Sequence, residues 1–182
     1  MEYSLKISGI VPESIVDGPG IRYVVFVQGC PHRCPGCHNP QTWDPAGGKE
    51  MALPDLQQLI LGTSGIDGVT FSGGEPFAQP GPLLSLARTA RSRGLNVVIY
   101  SGYTFEQLWE KSRCDSAVLG LLQAGWLLVD GPYLQSRRSL DLPYRGSANQ
   151  RLIDLAPSLQ AGRAVLWESD FHFRDYWSKI DS

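Results

Sequence analysis

An α/β fold is the expectation for this chain, built as an open partial (β/α)6 barrel. Three observations point there. From residue 21 onward, strand-like apolar runs alternate with stretches of helical periodicity, the order of a parallel sheet with right-handed crossovers. The run at 21–28 is apolar on both faces, as a strand covered on both sides must be. Six strands can be counted, too few to close an eight-stranded barrel.

Residues 3–10 alternate apolar and polar side chains and form the first expected strand. Residues 11–20 read as a loop ending in Asp17-Gly18-Pro19-Gly20, a strong turn signal. After the strand at 21–28, a cysteine-bearing loop and a Gly/Pro-rich stretch run to residue 52. Pro54 suits the first turn of a helix that carries Leu56, Ile60 and Leu61. A strand at 67–72 stops at Gly73-Gly74, and a helix at 82–93 ends at Gly94. The strand 95–101 leads to Thr104, which with Gln107 forms a capping box for the next helix. Residues 116–123 are expected to be helical, and 126–130 and 163–167 to be short strands.

The 182 residues suggest one domain, 1–182, large enough to bury about 70% of its unfolded surface. Sixteen basic and eighteen acidic residues give a net charge of −2, so no basic excess points to nucleic acid. The amino-terminal residues lack the basic start and apolar run of a secretion signal, and no stretch approaches 18 apolar residues, so no membrane partner is expected. Three clustered cysteines with Cys114 far off do not resemble a disulfide framework, and a reducing cytoplasm is the natural setting.

In parallel α/β architectures chemistry gathers at the C-terminal ends of the strands. Cys30 follows the second expected strand, Gly73-Gly74-Glu75 the third, Ser101-Gly102 the fourth and Asp130-Gly131 the fifth. Four loops at one rim make one site. The first holds Cys30, Cys34 and Cys37, spaced Cys-x3-Cys-x2-Cys. Three thiolates on one short loop can hold an iron–sulfur cluster and leave one iron open for a ligand. Zinc on the same thiolates with His38 is the alternative. The glycines of the second loop let the backbone approach a ligand closely, and Glu75 beside them can accept hydrogen bonds from an ammonium group.

This combination, Cys-x3-Cys-x2-Cys followed by Gly-Gly-Glu-Pro at 73–76, resembles the radical S-adenosylmethionine (SAM) enzymes. The resemblance implies a partial barrel of the radical SAM type. It also implies a 4Fe-4S cluster on Cys30, Cys34 and Cys37, with SAM on the open iron, cleaved by one electron to methionine and a 5′-deoxyadenosyl radical. VDGPGIR at 16–22, FVQGC at 26–30 and CHNPQTWD at 37–44 look like the glycyl radical enzyme activating enzymes. LVDGPY at 128–133 and YRGSANQRLID at 144–154 look like the branch that activates anaerobic ribonucleoside-triphosphate reductase. The implied partners are the large subunit of such a reductase, whose glycine loses a hydrogen atom, and a low-potential electron donor such as flavodoxin. Activation of another glycyl radical enzyme, of the pyruvate formate-lyase type, or small-molecule radical chemistry is the alternative.

Carried over by position, Gly73, Gly74 and Glu75 would receive the methionyl part of SAM. Gly36, His38 and Asn39 would lie along the adenine. Many relatives place an aromatic residue before the third cysteine. Gly36 stands there instead, leaving His38, then Tyr100, as the expected adenine contacts. Asp130 matches an acid near SAM in related activases, but Pro132 replaces the lysine that often follows it. His32 is expected to face solvent, Cys114 to be an ordinary thiol, and Trp43 to shield the cluster from water. Arg137, Arg138, Arg145 and Arg151 make the late loop basic, a candidate docking surface.

Overall fold

The computed structural model describes residues 4–168, so residues 1–3, with Tyr3 of the first expected strand, and residues 169–182 lie outside the described part. Its centre is four parallel strands, β2 (Arg22–Val27), β4 (Gly68–Gly73), β5 (Asn96–Tyr100) and β6 (Leu127–Asp130). Strands β1 (Ser4–Ser14) and β3 (Lys49–Ala52) extend it on one side and β7 (Arg151–Asp154) on the other, all antiparallel to their neighbours. The order β3-β1-β2-β4-β5-β6-β7 leaves both edges unjoined, so the sheet is open, as expected. The helices are α1 (Leu53–Gly62), α2 (Pro80–Ser92), α3 (Phe105–Ser112), α4 (Ser116–Ala124) and α5 (Leu155–Ala161).

Successive strand residues point to opposite faces, and each face has its own core. Tyr23, Val25, Val69, Phe71, Val97, Ile99 and Leu128 join Leu56, Ile60, Leu83, Leu86, Leu108 and Leu121 of the helices in the main core. On the other face Val98, Leu127, Val129 and Leu152 pack with Tyr100, Trp126, Tyr144 and Trp167 in a smaller cluster. Arg22 lies wholly buried on that second face. Its guanidinium donates to Thr70 Oγ1 at 3.0 Å, the Val69 carbonyl at 2.7 Å and the Pro19 carbonyl at 3.2 Å. Burial lowers its pKa to about 10. Thr70 Oγ1 also donates to the Asp17 carbonyl at 2.8 Å, so the Asp-Gly-Pro-Gly turn is tied to the sheet.

Several strands depart from expectation because pairing overrides local pattern. Strand β1 runs on to Ser14, through what was expected to be loop, since Ile10, Val11 and Ser14 pair with Val25, Val24 and Arg22. Strand β3 is mostly exposed and carries no apolar signature; it exists by pairing with β1. The last expected strand, 163–167, supplies only a bridge from Leu166 to Ile153, and the sheet is completed by β7 instead. Helix α5 was not anticipated. The capping box of Thr104 and Gln107 is present at the start of α3.

Candidate cluster and cofactor site

The cysteine loop is fixed at both ends. Where β2 ends, the buried Gln28 donates its side-chain amide to the carbonyls of Gln41 at 3.0 Å and Asp44 at 2.7 Å. Gly29 N–H donates to the Thr42 carbonyl at 2.8 Å and Cys30 N–H to the Trp43 carbonyl at 3.2 Å. Within the loop Cys37 N–H donates to the Cys34 carbonyl at 3.1 Å, and Asn39 N–H donates to Cys37 Sγ at 3.4 Å. Cys30, Cys34 and Cys37 are partly buried and unbonded to each other, whereas Cys114 is exposed. Burial pushes the Cys30 thiol above its ordinary pKa, opposed by the backbone N–H groups of His32 and Arg33.

The glycine-rich end of β4 is fastened to this loop. Gly74 N–H donates to the Val27 carbonyl and Glu75 N–H to the Gly29 carbonyl, both at 2.8 Å. Gly73 has φ +95°, and a Cβ there would stand 2.8 Å from the backbone of Phe26 and Val27. A Cβ on Gly74 would collide with the Gly29 carbonyl. Both positions therefore exclude any side chain.

One cavity of about 220 Å³ collects Cys30, Cys34, Cys37, His38, Asn39, Gly73 and Gly74, with Ser72, Tyr100, Ser101 and Tyr133. Soft thiols are one part of its wall; bare glycine backbone and small polar groups are another. Such a donor set fits an iron–sulfur cluster beside a ligand with an amino-acid head. The zinc alternative finds no three-ligand set for a single ion among the described residues. A larger cleft of about 590 Å³ opens alongside and shares Asp17, His38, Tyr100 and Gly146 with the first. Ile15, Val16, Leu140 and Tyr144 line it.

Three expected cofactor residues are placed elsewhere. Asp130 is almost fully buried and is engaged by Arg151 and by the Phe105 N–H, at 2.7 Å for the latter. It braces α3 and β7 and does not line the cavity. Glu75 has no exposure, and its oxygens are taken by protein donors. Gly36, at φ +74°, packs against Gln135, whose Cδ would lie 2.8 Å from a Cβ there. His32 does not face solvent: its side chain is 17% exposed and bonded to Glu75. Trp43 is not in the wall of this cavity; it borders a second groove with Pro31, Arg33 and Pro45, which Cys30 lines as well. Sequence reasoning missed Tyr133, whose ring centroid lies 5.0 Å from that of His38. An aromatic residue two positions after Gly131, at the rim end of β6, was the available signal.

Residues 16–153 match the family described as a 4Fe-4S single cluster domain. The chain is 35% identical over 147 residues to the anaerobic ribonucleoside-triphosphate reductase-activating protein of Escherichia coli (strain K12), covering 76% of this chain and 92% of that one. The protein of the same name from Enterobacteria phage T4 is 34% identical over 150 residues, 79% of this chain and 90% of that one. The pyruvate formate-lyase-activating enzyme of Clostridium pasteurianum is 44% identical over 107 residues, and the match spans 55% of this chain but 44% of that enzyme. Among solved structures, QueE from Escherichia coli superposes with a TM-score of 0.44 at 21% identity, over 56% of this chain and 54% of that chain. The chain belongs to the radical SAM activating enzymes, whose cofactors are a 4Fe-4S cluster and SAM. Within them it matches the reductase-activating proteins along nearly their whole length.

Proposed function

We propose that this chain activates an anaerobic ribonucleoside-triphosphate reductase by removing a hydrogen atom from a glycine of that partner. The observation that carries the reading is the gathering of Cys30, Cys34, Cys37, Gly73 and Gly74 around one cavity that adjoins an outer cleft. The near full-length match to reductase activators favours this partner over pyruvate formate-lyase. When bound and given one electron, the cluster and SAM would supply methionine and a 5′-deoxyadenosyl radical able to accept the hydrogen atom of the glycine Cα. The protein's own part is placement. Cys30, Cys34 and Cys37 would hold the cluster; Gly73 and Gly74 would offer bare backbone to the methionyl group; His38, Asn39 and Tyr133, in the wall of the same cavity, would meet the adenine.

Glycine suits the partner's role because its α-hydrogen has no Cβ to guard it. The outer cleft, lined by Ile15, Val16 and Leu140, admits the loop that carries it. In this reading the chain works in the cytoplasm, and a low-potential donor of the flavodoxin kind supplies the electron. Among the described residues no helix is long and apolar enough to cross a membrane. The test is purification without oxygen followed by incubation with the reductase, reductant and SAM. Brown protein with about four irons per chain, and a glycyl radical EPR signal on the reductase, are expected. A loaded protein that cleaves SAM but leaves the reductase without that signal defeats the choice of partner.

A further inference from the structure

We propose that Glu75 is a positioning residue. It holds the first half of the cysteine loop, through His32, against the turn that ends β5, and does not itself receive the ammonium group of SAM. The inference rests on the cluster-and-SAM reading above.

A carboxylate offers about four acceptor positions, and at Glu75 four protein donors fill them. Oε1 accepts from the Phe77 N–H at 3.0 Å and the Ser101 hydroxyl at 2.9 Å. Oε2 accepts from the Gly102 N–H at 2.9 Å and bonds His32 Nε2 at 2.8 Å. Gly73, Gly74, Ser101 and Gly102 line the cavity, while Glu75 stands behind them. A ligand ammonium would have to displace a donor from a carboxylate with no exposed surface.

His32 is seated as firmly as the carboxylate it meets. It lies between Cys30 and Cys34, so its side chain is the inward anchor of that half of the loop. Its ring packs edge-on against Tyr103 with centroids 4.4 Å apart. On Gly102 a Cβ would come within 2.7 Å of the His32 Cγ and Nε2 atoms, so the absence of a side chain at 102 makes room for the imidazole. A hydrogen bond, an aromatic contact and a missing side chain therefore agree on one place for the ring. Through it, a single buried carboxylate joins the cysteine loop, the glycine-rich end of β4, the 3-10 turn Pro76–Ala78 and the end of β5. Buried networks with every member satisfied fix one arrangement, here the height of Cys30 and Cys34 above Gly73 and Gly74.

The test uses the full chain, reconstituted with iron and sulfide without oxygen, as unaltered protein and as His32→Ala, His32→Gln and Glu75→Gln. Each Glu75 oxygen accepts a backbone N–H, so an amide in either orientation sets N–H against N–H. Glu75→Gln and His32→Ala should each release iron to a chelator about tenfold faster, the effect of one lost hydrogen bond to a charged group. The EPR signal of the reduced cluster, recorded without SAM, should broaden in both. His32→Gln, whose amide can still donate to Glu75, should restore slow release and the parent signal. Should Glu75→Gln fail to fold, His32→Ala and its rescue decide the matter alone. The proposal is overturned if His32→Ala releases iron at the parent rate. It is equally overturned if Glu75→Gln weakens SAM binding tenfold or more while iron release and the SAM-free signal are unchanged, the mark of a direct ligand. Unaltered protein that retains no iron defeats the cluster reading itself, a result seen before any variant is made.

Discussion

At the level of single residues, glycine and cysteine positions carry the sharpest expectations. Cys30→Ala, Cys34→Ala or Cys37→Ala should abolish cluster binding and SAM cleavage, because each thiolate would hold one of four irons and losing one leaves the cluster tethered at only two. Cys114→Ala should retain both, being exposed and remote from the cysteine loop in sequence. Iron content and methionine release measure each. For Gly74→Val, reasoning from sequence alone suggests loss of SAM with the cluster intact. The structure changes that expectation. The positive φ belongs to Gly73, and the space beside Gly74 is filled by the Gly29 backbone, one residue before Cys30. A valine there would push the cysteine loop away from β4, so iron content should fall together with SAM binding. Gly74→Val protein with a full complement of iron would contradict this.

At the level of elements, Arg151 explains how the late part of the chain is held to the sheet. From β7 it donates to Asp130 at the end of β6 through Nε at 3.0 Å and Nη2 at 2.5 Å, and to Glu106 on α3 at 2.7 and 3.2 Å. Asp130 also accepts the Phe105 N–H at the start of α3, so three elements meet at one ion cluster. Arg151→Met should destabilise the fold by about 3 kcal/mol, the low end for breaking a buried pair, since the guanidinium is partly exposed. Denaturant unfolding of the cluster-free protein measures it. The same contact sets a pH dependence. The hydrogen bond from Arg151 holds the Glu106 carboxyl below its ordinary range. A carboxylate with a depressed folded pKa adds stability that is present above its unfolded value of about 4.3 and is lost as pH falls through the lower folded value. Glu106→Gln should therefore lower stability slightly above pH about 5, the carboxylate being more than half exposed, leave it unchanged in strong acid, and so flatten the acid limb of the profile. An unaltered acid limb would remove Glu106 from that account.

At the level of the whole molecule, the segment after β6 closes one side of the cavity that the three cysteines line and borders the outer cleft. Tyr133 stands by His38, Gln135 by Gly36, and Leu140, Tyr144 and Arg145 line the cleft. Its basic residues divide by role. Arg151 is committed to the ion cluster and Arg145 is half-buried, while Arg137 and Arg138 are exposed. The last two are the candidates for meeting the reductase. Changing both to Glu should slow glycyl radical formation while methionine release without the reductase continues. Charge reversal at a rim acts mainly on association rate, so the defect should shrink as salt is raised. Equal loss of both activities would place these arginines in the SAM site instead.

The amino-acid sequence by itself determined the chemistry. Cys30, Cys34 and Cys37 are few enough residues apart that one loop must carry them, and the Gly73-Gly74 stop to a strand is a local signal. The α/β order, the capping box at Thr104 and the rim position of the motif loops were legible for the same reason: each depends on neighbours in the chain. Only tertiary structure decided where the buried carboxylates point. Glu75 meets His32 and Ser101 across 43 and 26 residues, and Asp130 meets Arg151 across 21, partners that no local pattern names. Both read in sequence as free acids at a cofactor rim. Folding instead surrounds each with donors, because a charge removed from water must be paired where it comes to rest.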